Sequence, residues 1–395
     1  MQRAIKIRII PTPEQEIQFR KSCGVARWSY NFYIAEKEKV YKEWKEDNSK
    51  PKYISEQDVR KYINNVLKST EEYKWLKEVG SNVMKQAVKD ADLAYQRFFN
   101  HLADKPKFKK KGKSKMSFYV NYESLSKTDI GFRGEKLGNI KTAQPLPNLD
   151  KGQIYYNPRI TFDGKFWYIS VGIQKGKPTN VELTNISLGI DLGIKELAVC
   201  SDNQVFHNIN KTKRMKKLIK RLKREQRKLS RRLENQIDHY EPTSKSRRPI
   251  YKKDLKKCSN IQRQNTHIAI IQKHINDIQT NYTHQVTRSI VKTKPCRIVM
   301  EDLNIRGLMK NKHLARQIQE QKWYEFKRQI EYKCEEYGIK FVEVNRFYAS
   351  SKTCSVCGNV KKELPLRERT YRCECCGLII DRDYNASINL SRYNK

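Results

Sequence analysis

The segment from residue 354 to residue 377 constrains the fold of this 395-residue chain more than any other. Cys354-x-x-Cys357-Gly358 is followed by Cys373-x-x-Cys376-Gly377, with fifteen residues between Cys357 and Cys373. Two residues between thiols let both sulfurs of a pair reach one ion from a tight turn, and the glycine after each pair relaxes the backbone there. Four thiolates in a tetrahedron suit one Zn²⁺, and a shell with no open position marks a structural site. The spacing between the pairs fits a zinc ribbon. Cys375 is a fifth thiol, so a set using it in place of Cys373 or Cys376 stays open. The two-residue spacing favours Cys354, Cys357, Cys373 and Cys376. The bland alternative is a group of surface thiols or a redox couple. Ten cysteines in a chain of this length do not make a disulfide framework, which points to a reducing, cytoplasmic compartment.

Charge narrows the partner. Lys and Arg total 82 against 43 Asp and Glu, a formal charge of +39. Self-repulsion on that scale opposes a compact state unless a polyanion neutralises it. Nucleic acid is the leading candidate, because neutralising phosphates releases counterions. An acidic membrane surface is the weaker one. With 37% hydrophobic and 10% aromatic residues the chain can build a real core, which excludes histone-like disorder. No stretch approaches the ~20 apolar residues of a membrane span, and MQRAIKIRII lacks the apolar core and cleavage site of a signal peptide.

Hydrophobic periodicity divides the chain. Residues 2–10 alternate as a strand. Thr12-Pro13-Glu14-Gln15 reads as a helix start, with Thr12 as cap, Pro13 at the first helical position and Gln15 reaching back. Helical patterning runs on to about residue 100, best in the stripe Val83, Ala87, Ala91, Tyr95 and Phe98. KPKFKKKGKSK at 105–115 is a basic loop. The period then changes. Ile154–Tyr156, Arg159–Phe162 and Lys165–Val171 are rich in aromatic and β-branched residues, and Asp163-Gly164 signals a hairpin. These segments predict a small β-domain that the first strand joins, leaving the helices as an insertion. Beyond residue 186 the pattern is mixed. Two apolar strands span Ile186–Cys200. Residues 211–232 carry thirteen Lys or Arg and one acid, Glu225, yet Leu218, Leu222, Leu229 and Leu233 mark an apolar face. A second stripe at Ile261, Ile268, Ile271, Ile275, Ile278 and Tyr282 completes a helical hairpin with one very basic arm. A strand at Cys296–Met300, a helix at 318–337, a strand at 339–344 and a short helix near 384–393 follow.

Three carboxylates stand at strand and helix ends. Asp191 lies in the apolar run Leu188-Gly189-Ile190-Asp191-Leu192-Gly193, where an acid is costly unless it is paired or binds a cation. Glu301 ends the strand Arg297-Ile298-Val299-Met300, and Asp383 opens the last helix. In an RNase H-like sheet these three places converge at one edge. Three hard oxygen donors can hold two Mg²⁺ or Mn²⁺ ions roughly 3.5–4 Å apart. Asp202, Asp302 and Asp381 are plausible bystanders with capping or ion-pairing roles.

Gly189–Lys195, Val299-Met300-Glu301-Asp302-Leu303, the two cysteine knuckles and Asp381-Arg382-Asp383-Tyr384-Asn385-Ala386 together resemble the split RuvC nuclease of the TnpB (OrfB) family. These are transposon-encoded RNA-guided nucleases, similar to the ancestors of type V CRISPR effectors. Arg8–Gln15, Ala26–Asn31, Gln86–Tyr95 and Lys107–Lys111 extend the resemblance over almost the whole chain. It implies a multidomain α+β architecture. A β-barrel-like wedge domain (1–11 and 104–184) would hold a helical recognition domain (12–103). A RuvC α/β domain (185–349 and 380–395) would carry a basic hairpin (211–292) and the zinc ribbon (350–379). It also implies a guide RNA from the element's own end, a double-stranded DNA target and no membrane partner. The protein would act at the nucleoid and read only a short flanking motif. By family pattern the motif readers are Tyr53, Ser81, Lys85 and Gln86, with Lys85 standing where many relatives have Gln. Lys107, Lys109, Lys110, Lys111, Arg221 and Arg224 are candidates for backbone contact. Trp167, Tyr155 and Tyr168 are candidates for base stacking or, equally, for core.

The resemblance implies a metal-dependent, RNA-guided endodeoxyribonuclease. Two other classes share the features. A transposase that joins DNA ends without RNA would use the same RNase H-like acids. A guided repressor would lack one or more of them, and all three are present here.

Overall fold

The computed structural model describes residues 2–174, 176, 181–242, 247–255, 258–311, 313–365 and 367–393. It comprises two α/β units, Met1–Lys175 and Gly176–Lys395.

The first unit opens with strand β1 (Gln2–Ile10), followed by α1 (Pro13–Glu46), α2 (Glu56–Asn65) and α3 (Ser81–Phe99). Thr12 and Gln15 form the expected reciprocal cap at the head of α1. The helical run to residue 100 is not continuous, however. A loop around Pro51 ends α1, Ser55 caps α2 afresh, and two 3-10 segments, Leu67–Ser69 and Glu71–Glu78, precede α3. Strands β2 (Ser117–Tyr119), β3 (Ser126–Thr128), β4 (Gly131–Gly134), β5 (Gly138–Thr142), β6 (Tyr156–Phe162) and β7 (Trp167–Gln174) complete the unit. They form an antiparallel sheet in the order β2-β6-β7-β1-β5-β4-β3. β1 therefore lies inside the sheet, paired along its length with β7, and the helices are inserted between it and the other strands. Gly164 supplies the positive φ (96°) of the β6–β7 hairpin. Trp167 is a core residue, wedged edge-on against Phe19 with its indole N–H on Glu16. Tyr155 is buried too, its hydroxyl donating to the Pro147 carbonyl, and Tyr168 lies under the Lys6 ammonium. The stacking role offered for Trp167 and Tyr155 gives way to a packing role.

The second unit contains β8 (Thr184–Leu192), β9 (Glu196–Cys200), β10 (Val205–His207), α4 (Lys213–Glu234), the hairpin β11 (Ile237–Pro242) and β12 (Arg247–Tyr251), and α5 (Ser259–Lys292). Then come β13 (Pro295–Glu301), α6 (Ile305–Leu308), α7 (Ala315–Gln321), α8 (Trp323–Tyr337), β14 (Lys340–Val344), β15 (Thr370–Arg372), β16 (Ile379–Asp381) and α9 (Arg382–Ser391). The main sheet runs β10-β9-β8-β13-β14, with β8, β13 and β14 parallel and β9 and β10 antiparallel. Alternation along β13 separates its two faces. Ile298 and Met300 pack with Ile290 of α5 and Phe326 and Ile330 of α8, whereas Val299 packs with Val344 and Leu390 of α9. The helix expected over 318–337 is broken at Lys322, whose φ is +54°. Its ammonium donates to Asn276 and Thr280 of α5, and Gln321 donates to the Gly193 and Ile194 carbonyls, so tertiary bonds hold the break. α4 and α5 form the expected hairpin, sealed by Met215, Ile271 and Ile275. Among the described residues no helix is long and apolar enough to cross a membrane.

Candidate active site and cysteine cluster

Sheet register brings the first two acids together. Met300 lies opposite Ile190 in the parallel β8–β13 pair, so the residues that follow, Glu301 and Asp191, emerge side by side at the same strand ends. The third arrives on α9, which runs antiparallel to β8 across the sheet. At its far end the Ser391 carbonyl accepts from Ser187 and Arg297. A side chain at Gly189 would stand 2.0 Å from the Ser387 carbonyl oxygen, so only glycine lets α9 lie this close. At its near end Asp383 Oδ2 lies 3.9 Å from where a Gly193 Cβ would be. The three carboxylates thus share one edge.

Their electrostatics are those of acids left uncompensated. Burial first, then the charges of Glu301 and Asp383, push Asp191 well above the ordinary aspartate range. Burial raises Glu301 as well, opposed by the hydrogen bond from the Ser350 hydroxyl. Burial first, then the charge of Asp381, raises Asp383, against the pull of Arg369, whose guanidinium is 3.8 Å away. Clustered carboxyls that repel one another and lack a full set of cationic partners are a donor set suited to a hard divalent cation. The bystanders behave as such. Asp381 accepts from the Asp383 and Tyr384 amides as the cap of α9. Asp302 pairs with Arg346, and Asp202 accepts from Gln204.

The cysteine cluster is built differently. Two near-identical knuckles each close an amide onto the first cysteine's carbonyl, Gly358 onto Cys354 and Gly377 onto Cys373, with φ of +73° at both glycines. The sulfurs of Cys354, Cys357, Cys373 and Cys376 all lie within 4.8 Å of one another, and no other group of three or more possible ligands among the described residues is as tight. Cys375 is exposed and outside the group. Amides of its own knuckle, Cys376 first, pull the Cys373 thiol down to about 6, toward the thiolate a metal needs.

Sequence reasoning missed the side chains that tie these two features together. Asn385 and Asn389, one turn apart on α9, are buried. Asn385 accepts from the Ser355 amide and donates to the Thr353 carbonyl, at 3.0 and 2.7 Å. Asn389 donates to the Ser350 and Thr353 carbonyls, at 2.8 and 2.6 Å. The helix that carries Asp383 is therefore bolted to the first knuckle, and the same loop carries Ser350, the partner of Glu301. Two asparagines at i and i+4 in the last helix were the available signal.

The remaining candidates fall apart into separate places. Tyr53 is exposed in the loop ahead of α2, with Lys52 over its ring. Ser81 and Lys85 share a face of α3, and Lys85 lines a shallow depression with Arg60, Lys61, Asn64 and Asn65 of α2. Gln86 donates to Asp90, which forms a two-pronged pair with Arg159, a structural arrangement. Lys107, Lys110 and Lys111 are exposed. Lys109 is partly withdrawn, its ammonium 3.6 Å over the Tyr30 ring. Lys109 and Lys111 line a cavity of about 630 Å³ with Arg20, Arg27 and Arg159, a basic hollow that sequence reading did not find. Arg221 and Arg224 are exposed on α4.

Known proteins resemble this chain in sequence and in fold. Family models described as "Helix-turn-helix domain", "Probable transposase" and "Cas12f1-like, TNB domain" match residues 1–46, 170–312 and 323–390. The chain is 28% identical, over 99% of its length and 89% of the relative's, to a Streptomyces pristinaespiralis protein named "Putative RNA-guided DNA endonuclease". It is 27% identical to "Putative RNA-guided DNA endonuclease InsQ" of Escherichia coli K12, over 98% of this chain and 91% of that one. A solved chain from a complex of Cas12f1 with sgRNA and target DNA shares the fold, with a TM-score of 0.54 at 14% identity and 99% coverage of both chains. In these matches the chain is similar to the transposon OrfB proteins, the TnpB family.

Proposed function

We propose that this chain is an RNA-guided DNA endonuclease of a transposable element, with a nuclease centre of the RuvC type formed by Asp191, Glu301 and Asp383. The observation that carries the proposal is the meeting of these three acids at one sheet edge in a protein of charge +39. The mixed sheet is the RNase H-like core. Residues 185–349 and 380–395 form the nuclease domain around the ribbon at 350–379. Residues 1–11 and 104–184 form the wedge domain, and 12–103 the recognition insertion.

In this reading a guide RNA, transcribed from the element's end, pairs with one DNA strand beside a short flanking motif. Lys85 and the exposed α2 side chains around it read that motif, with Tyr53 and Ser81. The basic hollow at Arg20, Arg27 and Lys111, together with α4, grips phosphates without regard to sequence. Strand opening delivers single-stranded DNA to the acids. Two Mg²⁺ ions, or Mn²⁺ in their place, would be held by Asp191, Glu301 and Asp383 and would supply a more acidic water and charge stabilisation at the phosphate. Ser350 keeps the Glu301 carboxylate oriented, and the asparagines of α9 hold Asp383 against movement of the helix. Arg369 stands beside Asp383, where it can meet a non-bridging phosphate oxygen. Hydrolysis leaves a 5′ phosphate and a 3′ hydroxyl. The four cysteines hold one structural Zn²⁺, a closed tetrahedral set with no role in the bond-breaking step.

The test is to purify the protein co-expressed with its genomic flank and sequence the RNA that accompanies it. A discrete RNA ending in element-adjacent sequence, and DNA cutting that follows its guide segment, are expected. Integration of DNA ends by RNA-free protein would favour the transposase class instead.

A further inference from the structure

A cavity beside Glu301 has no part in the mechanism above. It holds about 250 Å³ between the end of β13, the start of α6 and the first turn of α8. Leu192, Met300, Leu303, Ile305, Trp323 and Tyr324 give it an apolar and aromatic lining. Its two cations, Lys327 and Arg346, are already paired with Glu343 and Asp302. A phosphate site would keep its cations free. With both neutralised, what remains besides the polar rim of Glu301, Asp302 and Asn304 is an apolar and aromatic slot for a flat, largely uncharged group, a little below the usual size of ligand pockets.

Four further observations point to what fills it. Trp323 is 5% exposed, and its indole N–H has no acceptor, although buried donors are nearly always satisfied. Tyr324, its neighbour at the cavity, is 70% exposed. The break at Lys322, held by Asn276 and Thr280, sets this aromatic pair at the very start of α8. Phe347, adjacent to Arg346 in the loop leading to Ser350, is 88% exposed. Large aromatics held in water beside a single-strand path are stacking platforms for bases.

We propose that this cavity receives the base of one nucleotide of the strand being cut, next to the scissile phosphate, with Tyr324 and Phe347 as stacking faces. The inference rests on the nuclease reading and adds to it a substrate-positioning subsite. Base stacking tolerates all four bases, so the subsite fixes the strand without selecting sequence.

The test is single-turnover cleavage by the RNA-loaded protein of DNA targets that carry one abasic nucleotide at successive positions around the cut. At one position adjoining the cut, loss of the base should slow the wild-type protein by about 5- to 150-fold, the range for one stacked base. Tyr324→Ala should slow cutting of the intact target to a similar extent, and on that abasic target it should add less than about twofold. Phe347→Ala should show the same non-additivity, and Tyr324→Phe should behave as wild type. Both residues are exposed, and an unchanged melting temperature verifies each variant's fold. Slowing that multiplies, or insensitivity to base loss at every position, overturns the subsite while leaving guided cleavage intact. A wild-type protein that cuts no target at all overturns the subsite and the nuclease reading together.

Discussion

The four cysteines and the three acids lie in the same unit and are joined by the same helix, yet they are organised on opposite principles. Each thiol pair sits on a self-contained turn, and the four sulfurs are gathered within 4.8 Å with no help from the main sheet. The carboxylates come from β8, β13 and α9, they are not gathered so tightly, and the charges of Glu301 and Asp383 raise the affinity of Asp191 for a proton. A closed set of soft donors is a scaffold. An open set of hard donors under mutual repulsion has room for water and a phosphate. The comparison teaches that the rigid site steadies the open one, through Asn385, Asn389 and Ser350.

Breaking the open set should have the largest effect. Asp191→Ala is expected to lower guided DNA cleavage by more than about 100-fold, beyond the usual loss for a group that only supports a metal ligand. Its bound RNA, measured by co-purification, should be unchanged. The closed set comes next. Metal analysis of the wild type should find one zinc per chain; Cys354→Ser combined with Cys357→Ser should abolish it, and the ribbon should become protease-sensitive, because such sites fold on their metal. Retained zinc would contradict the assignment.

The link between the sites should give a smaller, graded loss. Asn389→Ala removes two donated hydrogen bonds that hold α9 to the first knuckle. Cleavage is expected to drop about 10- to 100-fold, as for other supporting groups around a metal site, while zinc content stays at one per chain. Equal cleavage by wild type and variant would show that the knuckle does not position Asp383.

The least effect is expected at an acid that the protein satisfies by itself. Glu225, the lone acid of the basic run, accepts from Gln264 of α5 and from Lys228. The Gln264 and Lys228 hydrogen bonds hold its pKa down at about 2, from 4.5. The folded value is depressed, so the stabilisation is full above about pH 4.5 and disappears as the pH falls toward 2. Glu225→Gln should lower the melting temperature slightly at neutral pH and flatten its decline on acidification, and guided cleavage should be little altered. A variant with the wild-type acid profile would remove Glu225 from the account.

Legibility followed the same division. The cysteine knuckles were readable because spacing alone defines them. The capped start of α1, the stripe of α3 and the α4–α5 hairpin were readable because each follows one clear period. The strand pairs formed by β3, β4 and β5 and by β11 with β12 were not. Their strands are short and largely polar, and Ser126–Thr128 and Ile237–Pro242 present mostly exposed residues, so no alternation marks them. The break at Lys322 was hidden because its causes lie on α5 and beside β8, far off in sequence. The acids could be picked from their positions at strand and helix ends. The groups around them could not, since Ser350 and Asn389 acquire their roles only when α9 crosses the sheet over Gly189. Trp167 read equally as a ligand for bases or as core, because a strand aromatic looks the same from sequence whether it faces the core or a groove.

The most direct test of the central claim is a structure of the protein bound to its guide RNA and target DNA with Mn²⁺, using anomalous scattering to find the ions. Two manganese peaks, ligated by Asp191, Glu301 and Asp383 together and touching a phosphate of the cut strand, are the result expected. Manganese bound away from these acids, or ligated by only one of them while cleavage proceeds, would contradict it.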